Sequence, residues 1–326
     1  MVKKILACIL CLFMVGCSTQ TTSTSHKIKV VTTTFPSYDA LRAIIGNDPD
    51  YDLHMLLKPG ADAHSYEPSP EDIIKVQNAD MFVYTGGDSD TWVNEILTDK
   101  KHGKVIKLMD LVEKREEEEV EGMEEEKDED HHHDDEEEHD HDHEGEKEEG
   151  VEYDEHVWTS LANEQIILKK LSNALIEIDP KHQATLKTNT NAYIKQVAQL
   201  EQEIKTIVDQ SKTKQLVFGD RFPLLYSVKE YGLDYRAAFA GCSEQSEPSA
   251  KTLSYLIDYV RKHDVKIVFA IELSNQNVAK TIASETGAKV RTFYTMHNVS
   301  AKDYNNHETY VSLTKRNIKV LKEALL

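Results

Sequence analysis

The sequence predicts an α/β protein of two lobes, each with a mainly parallel sheet flanked by helices, joined by one long rigid helix. Three observations carry this: short β-branched runs alternating with helical patterns, a second such series later in the chain, and a long amphipathic stretch between them. The first series comprises Ile28–Thr34, Tyr51–Leu57, Met81–Tyr84 and Val105–Leu108. The second comprises Leu216–Phe218, Tyr235–Phe239, Val265–Ile271 and Val290–Phe293. Between them, Asp179 to Ser211 contains no glycine, and its only proline is Pro180, at a helix start where the missing N–H does no harm. Tyr193, Val197, Leu200, Ile204 and Ile207 then recur at spacings of three and four, a stripe facing protein with Gln, Lys and Glu on the other side. About 30 residues at ~1.5 Å each make a rod of roughly 45 Å, stiff enough to limit relative motion of the lobes.

The domains follow in order: a signal segment over 1–17, a tether over 18–27, an N-terminal lobe over 28–178, the linking helix over 179–212 and a C-terminal lobe over 213–326. Lys3 and Lys4 precede an apolar run from Ile5 to Val15, too short to span a bilayer, and Val15-Gly16-Cys17 closes it. This ending resembles a bacterial lipobox, which implies acylation of Cys17 and a membrane tether through the Ser/Thr-rich stretch that follows. Cys8 and Cys11 leave with the signal, so Cys242 alone remains and the fold has to rest on its own apolar core.

Residues 113–155 interrupt the first lobe with a tract of Asp, Glu and His. It holds 26 of the chain's 58 acidic residues and 4 of its 38 basic ones, so without it the net charge of −20 becomes about +2. Such a composition lacks the apolar surface to offset about 1–2 kcal/mol per residue of ordering entropy and reads as a disordered loop. A solvating linker needs only carboxylates. His131, His132, His133, His139, His141 and His143 are additional, and imidazole favours borderline divalent ions, zinc first by availability. The acidity disfavours nucleic-acid binding.

Two further segments carry candidate ligands. Pro59-Gly60-Ala61-Asp62-Ala63-His64-Ser65-Tyr66-Glu67-Pro68 follows the second expected strand, and Asp154-Glu155-His156-Val157-Trp158 follows the acidic tract, with a helix opening on Thr159 or Ser160. Taken alone, each histidine reads more readily as a satisfied polar residue than as a metal ligand. Together, these words around a His-rich loop resemble the zinc-binding lipoproteins of bacterial ABC importers, a cluster of solute-binding proteins that also has manganese-specific members. The resemblance spans essentially the whole mature chain, and the His-rich loop marks its zinc side.

What this implies is an extracytoplasmic, lipid-anchored, monomeric receptor that catalyses nothing. It would capture Zn²⁺, with Mn²⁺ less suited, and deliver it to an ABC permease and its ATPase. His64 and His156 match the family's two first-lobe ligands. The second lobe departs from the pattern: where the family usually has Phe-His-Asp, this chain has Phe218-Gly219-Asp220, and the usual carboxylate near the last strand is replaced by Thr295-Met296-His297. His297 is the expected third ligand, and Asp220, Glu272 or water the candidates for the fourth position. Asp62 and Asp154 are candidate orienters of the imidazoles. Two other classes stay open, a zinc-dependent hydrolase and an extracellular metal buffer or adhesin without a transporter, although no His-Glu-x-x-His helix is present.

Overall fold

The computed structural model describes residues 27–98, 103–124, 152–243, 245 and 247–326. The signal segment, Cys17, all of the tether but Lys27, and the six tract histidines lie outside the described residues. Among the described residues no helix is long and apolar enough to cross a membrane.

Among the described residues, eight strands and ten α-helices run in the order β1 (Ile28–Thr32), α1 (Phe35–Ile45), β2 (Tyr51–Met55), α2 (Pro70–Gln77), β3 (Met81–Tyr84), α3 (Val93–Leu97), β4 (Lys104–Lys107), α4 (Leu161–Ile178), α5 (Gln183–Asp209), β5 (Gln215–Arg221), α6 (Leu225–Tyr231), β6 (Asp234–Phe239), α7 (Ala250–Lys262), β7 (Ile267–Ile271), α8 (Asn277–Thr286), β8 (Lys289–Phe293), α9 (Ala301–Asn305) and α10 (Tyr310–Leu325). Both sheets are four-stranded and wholly parallel, in the orders β2-β1-β3-β4 and β6-β5-β7-β8. Parallel strands all present their C-terminal ends at one edge, and the loops leaving those edges are where such sheets build ligand sites.

Each expected strand is present to within a few residues. The linking helix begins differently from the expected 179–212: α4 stops at Ile178, a short 3₁₀ turn spans Pro180–His182, and α5 then runs to Asp209. The break follows from Pro180, because a residue before proline is pushed out of the helical region, and Asp179 sits at φ −131° and ψ 76°. The stripe Tyr193, Val197, Leu200, Ile204 and Ile207 is buried throughout, packed on α1, α4 and α10. One apolar core reaches from Val30 and Met81 of the first sheet through Leu168 and Leu171 of α4 to Phe218 and Phe269 of the second. The lobes therefore share buried surface along the length of α5.

Residues 113–124 and 152–155, both flanks of the loop expected to be disordered over 113–155, are ordered. Glu116 and Tyr153 form an antiparallel bridge that closes its stem. The outgoing arm, residues 113–124, crosses to the second lobe. Lys229 pairs with Glu118 at 2.7 Å, the Gly241 N–H donates to Glu117 Oε1 at 3.1 Å, and the Ser249 N–H donates to Glu124 Oε2 at 2.7 Å. Met123 is buried. Composition alone missed this because these carboxylates meet cations and backbone donors that another part of the chain supplies.

Candidate metal centre

Four side chains converge where the two sheet edges face each other. His64, Glu155, His156 and His297 each place one donor atom within 4.8 Å of the others, and all but His64 are buried. Ring centroids lie 5.7 Å apart for His64 and His156, 5.1 Å for His64 and His297, and 5.0 Å for His156 and His297. Glu155 Oε1 is 3.6 Å from His297 Nε2 and 3.9 Å from His64 Nδ1. Donors at ~2.0–2.2 Å around a tetrahedral zinc stand about 3.3–3.6 Å from one another, close to the two Glu155 distances.

Each member is held by local chemistry. The loop after β2 carries His64, whose N–H donates to Asp62 Oδ1 at 3.1 Å, while Asn298 Nδ2 donates to Lys58 O and Ala61 O at 2.8 Å each. His156 is fixed by the neighbouring Asp154 carboxylate, which accepts from its backbone N–H at 2.7 Å and lies 3.1 Å from its Nδ1. That leaves His156 Nε2 aimed into the group, buried and, among the described residues, without a hydrogen-bond partner, as is His297 Nε2. Buried polar atoms ordinarily find partners, and two such nitrogens in one cluster are the arrangement a cation would satisfy.

Glu155 was not singled out from the sequence. Its side chain is buried against the loop after β3, where the Ser89 N–H donates to Oε2 at 3.1 Å and the Ser89 hydroxyl to Oε1. Gly87 makes this approach possible: it sits at φ +75°, and a Cβ there would lie 2.5 Å from Glu155 Oε2. In a run of carboxylates nothing distinguishes Glu155; adjacency to His156 and a Gly-Gly turn after a strand were the only signals.

The two expected candidates for the fourth position are engaged elsewhere. Glu272 uses both carboxylate oxygens to hold the segment carrying His297, accepting from the Thr295 N–H at 2.7 Å, the Thr295 hydroxyl at 2.9 Å and the Met296 N–H. Asp220 accepts from the Arg221 and Ile271 N–H groups at 3.0 and 3.2 Å and faces an adjoining cavity of about 300 Å³. Gly219, where the resembling family carries a histidine, has no room for a side chain, since a Cβ would stand 2.5 Å from Ala279 Cα on α8.

Electrostatics divide the four. Burial, with His156 and then Arg221 adding positive charge, pushes the His64 imidazole down to about 3. Burial likewise holds His297 well below the ordinary histidine value, reinforced by His156, His64 and Arg221. His156 goes up: burial opposes its charge, and the Asp154 carboxylate outweighs that. Burial raises Glu155 to about 7 against the opposing pull of His156 and the Ser89 hydrogen bonds. A second grouping, Asp48, Asp50 and His182, is already balanced by Lys181 on Asp50 and by Asp179 on the imidazole.

The model of the family described as "ZnuA: Zinc-uptake complex component A periplasmic" matches residues 30–324. The chain belongs to this family. Among its ZnuA-family relatives, the high-affinity zinc uptake system protein ZnuA of Bacillus subtilis is 31% identical over 314 residues, covering 93% of this chain and 89% of the relative. The zinc-binding lipoprotein AdcA of Streptococcus pneumoniae is 30% identical over 327 residues, covering 99% of this chain, which spans 60% of that longer protein. In structure, the Zn(II)-bound ZnuA-like domain of S. pneumoniae AdcA superposes with a TM-score of 0.71 at 26% identity, covering 92% of this chain and 99% of that one. The laminin-binding protein of Streptococcus agalactiae, described as bifunctional with adhesin and metal-transporting activity, gives 0.73 at 25% identity, covering 92% and 100%. The two-lobe α/β fold is thus that of Zn-bound ZnuA-like solute-binding proteins.

Proposed function

We propose that this protein captures Zn²⁺ outside the cytoplasm and delivers it to an ABC permease with its ATPase. The single observation behind this reading is the convergence of three imidazoles and one carboxylate, two of the imidazole nitrogens being buried without partners. Three nitrogens and one oxygen suit tetrahedral zinc, whereas manganese favours more oxygen donors. His64, Glu155, His156 and His297 are the proposed ligands, with Asp154 and Glu272 orienting them. Cys17 is the proposed lipid anchor, and the tract histidines are proposed to raise the local ion concentration. The protein works by binding and release, without turnover.

A zinc-loaded crystal of the mature chain, with anomalous scattering recorded across the zinc edge, tests the reading. One buried ion touching these four side chains is the expected result. An ion bound elsewhere, or ligated by Asp220, would refute the ligand set, and zinc-dependent hydrolysis of esters or peptides would revive the catalytic alternative.

A further inference from the structure

Lobe two contributes no side chain at Gly219, yet two residues later it sends Arg221 across the cleft. Arg221 Nη2 donates to Asp62 Oδ2 at 2.8 Å, and Nη1 lies 3.4 Å from the Ser243 carbonyl. Asp62 is the residue whose other oxygen, Oδ1, receives the His64 backbone N–H. A single carboxylate thus ties the guanidinium of one lobe to the backbone of a proposed ligand in the other. Arg221 stands at the end of β5, where the pairing with β6 shifts register between Phe218 and Arg221. The Arg221 side chain is 19% exposed and that of Asp62 45%, so the pair is partly shielded.

We infer that Arg221 is a positioning residue for zinc binding, acting through Asp62 to hold the His64 loop in the metal-competent arrangement. The inference rests on the proposed ligand set and adds a residue that touches no metal. It also carries a sign that separates it from simple electrostatics. Arg221 is a cation beside a cation site, so if it acted only through charge, its removal would strengthen zinc binding. If it acts by positioning, its removal weakens binding because His64 then samples other arrangements.

The test is zinc affinity by chelator competition for the mature native chain, Arg221→Ala, Arg221→Lys, Asp62→Asn and the double variant, with metal-free melting temperatures recorded for each. Arg221→Ala is expected to weaken zinc binding about three- to tenfold, the range of partly shielded ion pairs, with Arg221→Lys recovering part of the loss. The double variant should be no weaker than the weaker single, and metal-free melting should change little. Unchanged or tighter binding by Arg221→Ala, or additive losses in the double variant, would overturn the inference. Should Arg221→Ala fail to fold, Arg221→Gln, which also removes the positive charge, takes its place and decides by the same criterion. A native chain without one tight zinc would overturn the ligand set as well, whereas tight native binding with an indifferent Arg221→Ala overturns this inference alone.

Discussion

The proposed division between ligands and orienting residues rests on what their polar atoms already hold. Glu155 offers a carboxylate to three imidazoles, while Glu272 spends both oxygens on Thr295 and Met296. The Met296 backbone, at φ +64°, is in the left-handed region and needs such support to aim His297 at the group. His64→Ala, His156→Ala, His297→Ala and Glu155→Gln should therefore each weaken zinc binding by more than the about 10–100-fold that loss of an orienting partner costs. Glu272→Ala should fall within that range by releasing the His297 segment, and Asp220→Ala should leave affinity nearly unchanged. Isothermal titration with a competing chelator measures all six, and a ligand-sized loss in Asp220→Ala would contradict the assignment.

Helices α4 and α5 pack on each other and on α1 of the first lobe, and α5 also on α6 and α10 of the second, and their sequences differ in how openly they state it. The α5 stripe was legible because apolar spacing at three and four admits one reading, and Leu200, at 4% exposure, lies on it. Leu200→Ala should cost about 2–5 kcal/mol of unfolding free energy in urea titration. The strands were equally legible from their β-branched runs. Asp220, Glu155 and the ordered arm 113–124 were not, because their roles depend on partners far away in sequence: Ile271 for Asp220, Ser89 for Glu155, and Lys229 and Ser249 for the arm. Glu164 on α4 is a similar case. It is buried, among the described residues neither carboxylate oxygen is hydrogen-bonded, and burial, with Asp39 nearby, holds its carboxyl well above the ordinary value. A carboxyl raised in the folded state contributes stability fully present below about 4.5 and lost as pH rises, since the unfolded chain then releases its proton first. Glu164→Gln should accordingly melt higher relative to native as pH rises from 5 to 8, by about 1–3 kcal/mol at the upper end. A difference independent of pH would place a partner on that carboxylate.

Charge is partitioned across the molecule, with the acidic tract set beside a nearly neutral body, and zinc capture should reflect both parts. Because residues 113–124 and 152–155 pack on the lobes, a deletion that spares the site must be confined to 125–150. That deletion should remove several weak zinc sites and keep one tight one, as counted by calorimetry. The pH dependence of the tight site follows from the four proposed ligands together. In the metal-free protein His64 and His297 are held low and stay neutral through the physiological range, so neither competes for a proton there. Glu155, raised to about 7, and His156, raised by Asp154, instead carry protons near neutrality that zinc must displace. Free protein then binds more protons than loaded protein, and affinity must fall as pH falls, steepest around 7 and below, with about one to two protons released per ion. Calorimetry at pH 6, 7 and 8 in buffers of different ionisation enthalpy counts those protons directly. Glu155→Gln should lower the count by up to about one, and an affinity that stays constant across this range would mean that the ion displaces no proton from Glu155 or His156.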